Sequence, residues 1–195
     1  MNKNPHSVTG AESRKKTSST SVSVIDRYGF RLNVGIIIAN QAKQVFWGKR
    51  FHGAGWQFPQ GGIEPYETAE EAMFRELAEE TGLKATEVNI LQVTPKWYVY
   101  KLPRPLRHRR GMFCIGQRQK WFLLTLKNPH TAINLSRLTH PEFSDWKWVD
   151  YLEPIKEVIF FKRNVYKKVL SFFEPQIAQL AETSSDALKP ETSPL

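Results

Sequence analysis

The segment 61–83 predicts a helix whose apolar stripe also carries acidic side chains. Thr68 followed by Glu71 fits a capping box, and Gly82 supplies a left-handed stop, so a helix is predicted over 69–81. At about 100° per residue, three glutamates project from the stripe that also holds the apolar side chains. These glutamates are Glu76, Glu79 and Glu80. Burial of this stripe would carry two or three carboxylates to the inner wall of the protein.

Such a carboxylate cluster has two interpretations. Charge runs on helices are commonly solvated faces, but the angular overlap with the apolar residues favours burial. Uncompensated burial of charge is very costly, whereas Mg²⁺ prefers oxygen ligands and bridges carboxylates to phosphates. The cluster therefore predicts metal-assisted phosphate chemistry. Arg75, on the solvated side, is predicted to orient a carboxylate by a bidentate pair rather than to bind phosphate.

Composition divides the chain into one body and two tails. Its 195 residues suit a single domain. Residues 1–23 and 183–195 are rich in small polar residues and poor in large apolar ones, so both are predicted to be disordered. The folded domain is predicted over 24–182.

Charge and cysteine content bear on partners and compartment. A formal net charge of +9 predicts attraction to polyanions. The single Cys114 forms no internal disulfide, and no apolar leader or stretch of about 20 apolar residues is present. We therefore expect a cytoplasmic monomer with no membrane contact; any activating protein partner stays unidentified.

Apolar periodicity and turn residues predict the remaining elements. Two strands separated by a polar turn, 32–40 and 44–47, read as a hairpin that opens the domain. Further strands are predicted over 88–95, 97–102, 120–126 and 146–149. A terminal helix is predicted within 154–179, with helical spacing after Lys162.

The acidic helix and the loops on either side of it resemble the Nudix box. That pattern is a glycine, a glutamate six positions on, and then a fixed helical signature after seven further residues. The matching positions are Gly61, Glu67, Arg75, Glu76, Glu79, Glu80 and Gly82, with Leu77 and Leu83 at the apolar positions. The resemblance implies an α/β fold, specifically an α/β/α sandwich with a mixed β-sheet and a catalytic loop-helix-loop. It also implies Glu76, Glu79 and Glu80 as metal ligands, with a backbone carbonyl near Gln60 or Gly61. The cofactor would be Mg²⁺, which Mn²⁺ or another divalent cation could replace.

Segments outside the box resemble the RNA pyrophosphohydrolase branch of the Nudix hydrolases, over roughly 24–175. The segments are 30–36, 56–62, 100–103, 116–122, 141–143 and 161–163. This branch removes pyrophosphate, or phosphates stepwise, from the 5′ end of RNA, which leaves a monophosphate and promotes mRNA decay. It also includes diadenosine polyphosphate hydrolases, so that activity is the alternative. A catalytically silent RNA-binding module is a third reading, against which the complete carboxylate set argues.

The same resemblance implies roles for individual residues. Glu142 would be an additional acid that binds metal or acts as general base, and the choice of base between Glu79 and Glu142 stays open. The phosphate-facing residues would be Arg31, Tyr100 and Lys101. An RNA base would stack between Arg50 and Phe161, with Lys162 beside them.

A basic segment supports a polyanionic substrate. Between Lys101 and Lys120 no acidic residue occurs, and the cations are Lys101, Arg104, Arg107, Arg109, Arg110, Arg118 and Lys120. A solvated basic loop would have the same composition. Beside a predicted metal and phosphate site, an RNA-binding surface is the better interpretation.

Overall fold

The computed structural model of the chain describes residues 24–53, 55–109, 112–131 and 133–180. The predicted disordered tails, 1–23 and 183–195, lie outside the described residues, so their disorder and the domain limits stay predictions. Ten strands and three α-helices occur within the described part. The strands are β1 (Phe30–Ala39), β2 (Gln44–Arg50), β3 (Trp56–Gln57), β4 (Gln60–Gly62), β5 (Val88–Val93), β6 (Tyr98–Lys101), β7 (His108–Arg109), β8 (Met112–Phe113), β9 (Gly116–Leu126) and β10 (Phe143–Asp150). The helices are α1 (Ala69–Thr81), α2 (Pro154–Glu157) and α3 (Arg163–Gln179).

Eight strands form one mixed sheet, and β7 pairs separately with β8. The main path runs β10-β2-β1-β9-β5, while β3 pairs with β2, β4 with β1 and β6 with β9. The central pair, β1 and β9, is parallel from Phe30 opposite Gly116 to Ala39 opposite Thr125. The other pairings are antiparallel. The predicted opening hairpin is confirmed, because Ala39 lies opposite Val45.

The sheet separates two hydrophobic layers because neighbouring side chains on a strand point to opposite faces. On β1, Ile36 and Ile38 are fully buried in the layer that packs against α1, with Met73 and Leu77. Ile37 lies in the other layer, which packs against α3. Helices therefore cover both faces, and the predicted α/β/α sandwich is confirmed.

Helix α1 has the bounds and caps predicted from sequence. The Thr68 side chain accepts a hydrogen bond from the backbone N–H of Glu71, and the Glu71 carboxylate accepts from the backbone N–H of Thr68, which completes the capping box. Gly82 ends the helix at φ 76° in the left-handed region. These caps fix where α1 begins and ends, and packing of its apolar stripe against the sheet decides which glutamates face inward.

Two strands begin earlier in the structure than the sequence predicts. Strand β9 begins at Gly116, four residues earlier than predicted, and β10 begins at Phe143. The added part of β9 includes Gln119, which is buried but polar. It was missed because strand patterns are recognised by apolar residues, whereas this end of the strand carries a polar network.

The terminal segment is helical only in parts. Helix α2 ends at Glu157, a single 3-10 turn covers Phe160–Lys162, and α3 runs from Arg163, which agrees with the helical spacing after Lys162. Within the described residues, no helix has the length and apolarity needed to span a membrane.

Replacing Thr68 by alanine is expected to lower stability by about 1 kcal/mol, because the backbone N–H of Glu71 loses the side-chain oxygen that caps it. For a chain of this size the melting temperature should fall by about 2–4 °C in calorimetry. Thr86→Ala is the matched control, because Thr86 is exposed and no capping hydrogen bond depends on its side chain. Equal melting temperatures for the two variants would contradict the importance of this cap.

Candidate active site

Arg75 links the loop before α1 to the glutamates of the helix. Its Nε and Nη2 atoms donate to the two carboxylate oxygens of Glu67 at 2.8 and 2.9 Å, and Nη2 also donates to the carbonyl of Gly62 at 2.8 Å. Nη1 donates to Oε1 of Glu76 at 2.8 Å. The predicted bidentate role of Arg75 is therefore confirmed. The hydrogen bond from Arg75 also holds the pKa of Glu67 below its ordinary value.

Two carboxylates of α1 are buried. Glu76 is 9% exposed, and burial raises its pKa to about 6 although Arg75 opposes the shift. Glu80 is 2% exposed, and burial together with the charges of Glu76 and Glu142 raises its pKa well above the ordinary value. The backbone N–H of Gln60 donates to Oε2 of Glu80 at 2.9 Å. The inner face of α1 thus concentrates negative charge where water is scarce.

Glu79 and Glu142 lie at the rim. The Glu79 side chain is 60% exposed and accepts a 3.4 Å hydrogen bond from Nη1 of Arg75. Glu142 is also exposed, yet its charge is close enough to Glu80 to raise the pKa of that residue. Of the three glutamates on the stripe, the structure buries two, because Glu79 sits about 60° to one side of Glu76, at the edge of the stripe.

The donor chemistry around these residues fits a hard divalent cation. The carboxylates of Glu76 and Glu80 supply oxygen donors, and Gly61 lies so close to the Glu76 carboxylate that a Cβ there would collide with it. Within the described part of the chain, no three His, Cys, Asp or Glu side chains form a ready metal-binding group as they stand. Arg75 instead bonds Glu76 and Glu79. The fit rests on oxygen donors, burial and raised carboxyl pKa values.

Basic and aromatic side chains from other elements gather beside the carboxylates. The rings of Tyr100 on β6 and Phe161 lie 5.8 Å apart, and Nζ of Lys162 lies 5.8 Å from the centre of the Tyr100 ring. Burial lowers the pKa of Lys162 to about 7, with the charge of Arg50 adding to the effect. The charge of Arg31 acts on both Tyr100 and Glu76. Five of the six residues predicted to contact substrate therefore lie in one region beside the carboxylates, which we call the cleft.

Lys101 is the predicted residue that the structure does not bring to this cluster. Strand β6 alternates between buried and exposed residues, so the exposed Lys101 side chain leaves the face opposite to that of the buried Tyr100. Among the described residues, no hydrogen bond or ion pair connects Lys101 to the cleft.

A buried network of polar side chains was missed by the sequence reasoning. Nζ of Lys162 donates to Oε1 of Gln57 at 3.0 Å and to Oε1 of Gln60 at 2.8 Å. Nε2 of Gln119 donates to Oδ1 of Asn33 at 2.7 Å. A signal did exist, since glutamines two positions apart at 117 and 119 place amides on the strand face that continues with Trp121 and Leu123.

Comparison with known proteins identifies relatives over most of the chain. The NUDIX domain model matches residues 29–169. An RNA pyrophosphohydrolase of Shewanella baltica is 56% identical over 151 residues, covering 77% of this chain and 87% of the relative. An RNA pyrophosphohydrolase of Shewanella piezotolerans is 51% identical over 164 residues, covering 84% of this chain and 95% of the relative.

Solved structures share the fold at lower identity. The Escherichia coli dihydroneopterin triphosphate pyrophosphohydrolase aligns with a TM-score of 0.56 and 21% identity, covering 71% of this chain and 94% of that one. The Caenorhabditis elegans Ap4A hydrolase in a binary complex aligns with a TM-score of 0.54 and 20% identity, covering 73% and 98%. Fold, intact box and relatives over half identical agree: this chain belongs to the NUDIX family.

Proposed function

We propose that this protein hydrolyses a phosphoanhydride bond at the 5′ end of RNA, converting a triphosphorylated or diphosphorylated end to a monophosphate and so promoting mRNA decay. The observation that carries this proposal is that Gln60 joins a buried carboxylate to a cation: its backbone N–H donates to Glu80 and its side chain accepts from Lys162. The charges of Arg31 and Arg50 act on Glu76 and Lys162 from the same side of the site. The names of the curated relatives, more than half identical over most of the chain, support the same substrate.

The carboxylates are the proposed ligands of Mg²⁺, for which Mn²⁺ or another divalent cation could substitute; NUDIX hydrolases generally use such cations. Glu76, Glu79, Glu80 and Glu142 would hold it, with the backbone carbonyl of Gln60 or Gly61. Bound Mg²⁺ polarises phosphoryl oxygens and lowers the pKa of an attacking water. The Gly61 backbone can approach closely because it carries no side chain beside Glu76.

The proton from the attacking water needs an acceptor that is charged and accessible. Glu79 and Glu142 are both exposed at the rim, unlike Glu76 and Glu80, whose pKa values burial raises. A rim carboxylate can accept the proton and release it to solvent. We therefore keep the general base as a choice between Glu79 and Glu142.

The basic side of the cleft is proposed to hold the substrate. The Arg31 guanidinium forms no ion pair among the described residues, which leaves its positive charge for a phosphate oxygen. An RNA base is proposed to stack between Arg50 and Phe161, with Tyr100 packed against Phe161 and Lys162 held beneath. Contact of the exposed Lys101 with phosphate stays a prediction from the family resemblance. A monomeric state and a cytoplasmic location stay predictions from the sequence.

Glu79→Gln is expected to lower release of phosphate and pyrophosphate from a 5′-triphosphorylated RNA by at least about 100-fold, because a carboxylate needed for the cation or for proton transfer becomes neutral. Chelation of Mg²⁺ should abolish release by the wild type. Glu70→Gln is the matched control, because Glu70 is exposed in the first turn of α1 and is not a proposed ligand.

Three results would contradict the proposal in different ways. Unchanged activity of Glu79→Gln would remove Glu79 from the catalytic set. A wild type that hydrolyses a diadenosine polyphosphate but no triphosphorylated RNA would establish the alternative substrate class. A wild type inactive on both, yet able to bind RNA, would establish a binding module.

Thermal stability gives a second test with a defined pH dependence. Because the folded-state pKa of Glu76 is raised from 4.5 to about 6, its contribution to stability is full below 4.5 and is lost as the pH rises through 6. Glu80 shifts in the same direction. Mg²⁺ binds the charged carboxylates, so it should stabilise the protein more at about pH 7.5 than at about pH 5.5.

At a Mg²⁺ concentration of about 100 times its Kd, the gain near pH 7.5 should be about 2.7 kcal/mol, or about 5–11 °C in melting temperature. The double variant Glu76→Gln with Glu80→Gln should lose this shift, measured by calorimetry. A shift of equal size at both pH values would count against these two carboxylates as cation ligands.

A further inference from the structure

A concavity of about 440 Å³ opens between β6 and α3. We call it the lysine groove, and its lining residues are Lys96, Tyr98, Lys167, Lys168 and Ser171. Three of the five are cationic and none is acidic. None belongs to the set proposed above for catalysis or for binding the 5′ nucleotide.

Strand β6 joins the lysine groove to the cleft. Tyr98 and Tyr100 are two positions apart, so their side chains lie on the same face of the strand, about 7 Å from each other. Tyr100 packs against Phe161 in the cleft, whereas Tyr98 lines the groove. The groove and the cleft are therefore neighbours along β6, separated by one two-residue repeat of the strand.

Helix α3, which forms the opposite wall of the lysine groove, also connects the groove to the cleft. The helix begins at Arg163, immediately after Lys162 of the cleft. Arg163 and Lys167 are four residues apart, which places them on one stripe about 6 Å apart along the helix axis. Glu174 lies on the same stripe beyond Ser171. The cationic part of the stripe is thus the part nearest the cleft.

The lysines of the groove are available to an external anion. Lys96, Lys167 and Lys168 are exposed, and the ion pairs found within the described ranges involve none of them. Nζ of Lys96 lies 5.7 Å from the centre of the Tyr98 ring. Because Tyr98 is only 7% exposed, it offers little surface on which a base could stack. The groove is suited to phosphates rather than bases.

We propose that the lysine groove binds the sugar-phosphate backbone of single-stranded RNA downstream of the nucleotide held in the cleft. The inference rests on the proposed function, because the RNA must enter by its 5′ end for the chain to continue along β6 and α3. Binding through phosphates is independent of sequence and sensitive to salt. The groove thus favours longer RNA over short nucleotides.

The test compares substrates of two lengths in the variant Lys167→Gln with Lys168→Gln. The substrates are a 5′-triphosphorylated dinucleotide, too short to leave the cleft, and an unpaired 5′-triphosphorylated RNA of about ten nucleotides. For the longer RNA, KM should rise by about 10-fold with kcat unchanged, and the logarithmic salt slope of binding should fall by about 1.4, or 0.7 for each lost phosphate contact. Kinetic constants for the dinucleotide should not change.

A matched control changes the same charge elsewhere. Lys84 and Lys127 are exposed beyond the ends of α1 and β9, and replacing both by glutamine should leave KM for both RNAs unchanged. An unchanged KM for the longer RNA in the Lys167 and Lys168 variant would overturn the proposal. So would an equal rise in KM for both substrates, because that would indicate damage to the cleft.

Binding separates failure of this inference from failure of the proposed function. The Kd of a fluorescent, 5′-monophosphorylated ten-nucleotide RNA is measured for the same variants by anisotropy. If the wild type hydrolyses neither substrate but its Kd still depends on Lys167 and Lys168, the groove stands as an RNA-binding surface and the enzymatic function fails. If hydrolysis occurs and replacing both lysines leaves the Kd unchanged, the groove proposal fails and the proposed function stands.

Discussion

The arrangement of the neighbouring structure depends on one constraint, the burial of the Glu76 and Glu80 carboxylates. Each one is expensive to remove from water, and the two repel one another. The surrounding chain supplies partial compensation, from Arg75 to Glu76 and from the backbone N–H of Gln60 to Glu80. Burial still raises the pKa of both carboxyls, so this compensation is incomplete. A cluster with this imbalance is poorly suited to a purely structural role and well suited to a charged ligand.

The parts of the site that depend on local sequence were the most predictable. Helix α1 begins and ends where the sequence indicates because its caps involve residues only three or four positions apart. Burial of the apolar stripe then decides the rotation of the helix, and Glu76 and Glu80 are buried with that stripe. Glu79 shows the limit of that reasoning, since a residue at the edge of a stripe can be exposed.

Features that depend on distant partners could not be predicted. Strands β3 and β4 are two and three residues long, and only their pairing with β2 and β1 makes them strands. The hydrogen bond from Lys162 to Gln57 joins residues 105 positions apart. The exposure of Lys101 could be predicted, because the two-residue period of a strand places its side chain on the face opposite to Tyr100. A role for Lys101 in binding phosphate stays a prediction from the family resemblance.

The parallel pairing of β1 with β9 also constrains how the protein can fold. Asn33 and Gln119, bonded across this pair, are 86 residues apart, so the centre of the sheet is closed by a long-range contact. Such contacts slow folding, because the entropy of closing the loop is lost before they form. During synthesis β1 and β4, against which α1 packs, emerge before the helix, but the parallel centre of the sheet stays incomplete until β9 has left the ribosome. The nascent chain therefore stays without a working cleft until most of the protein has been made.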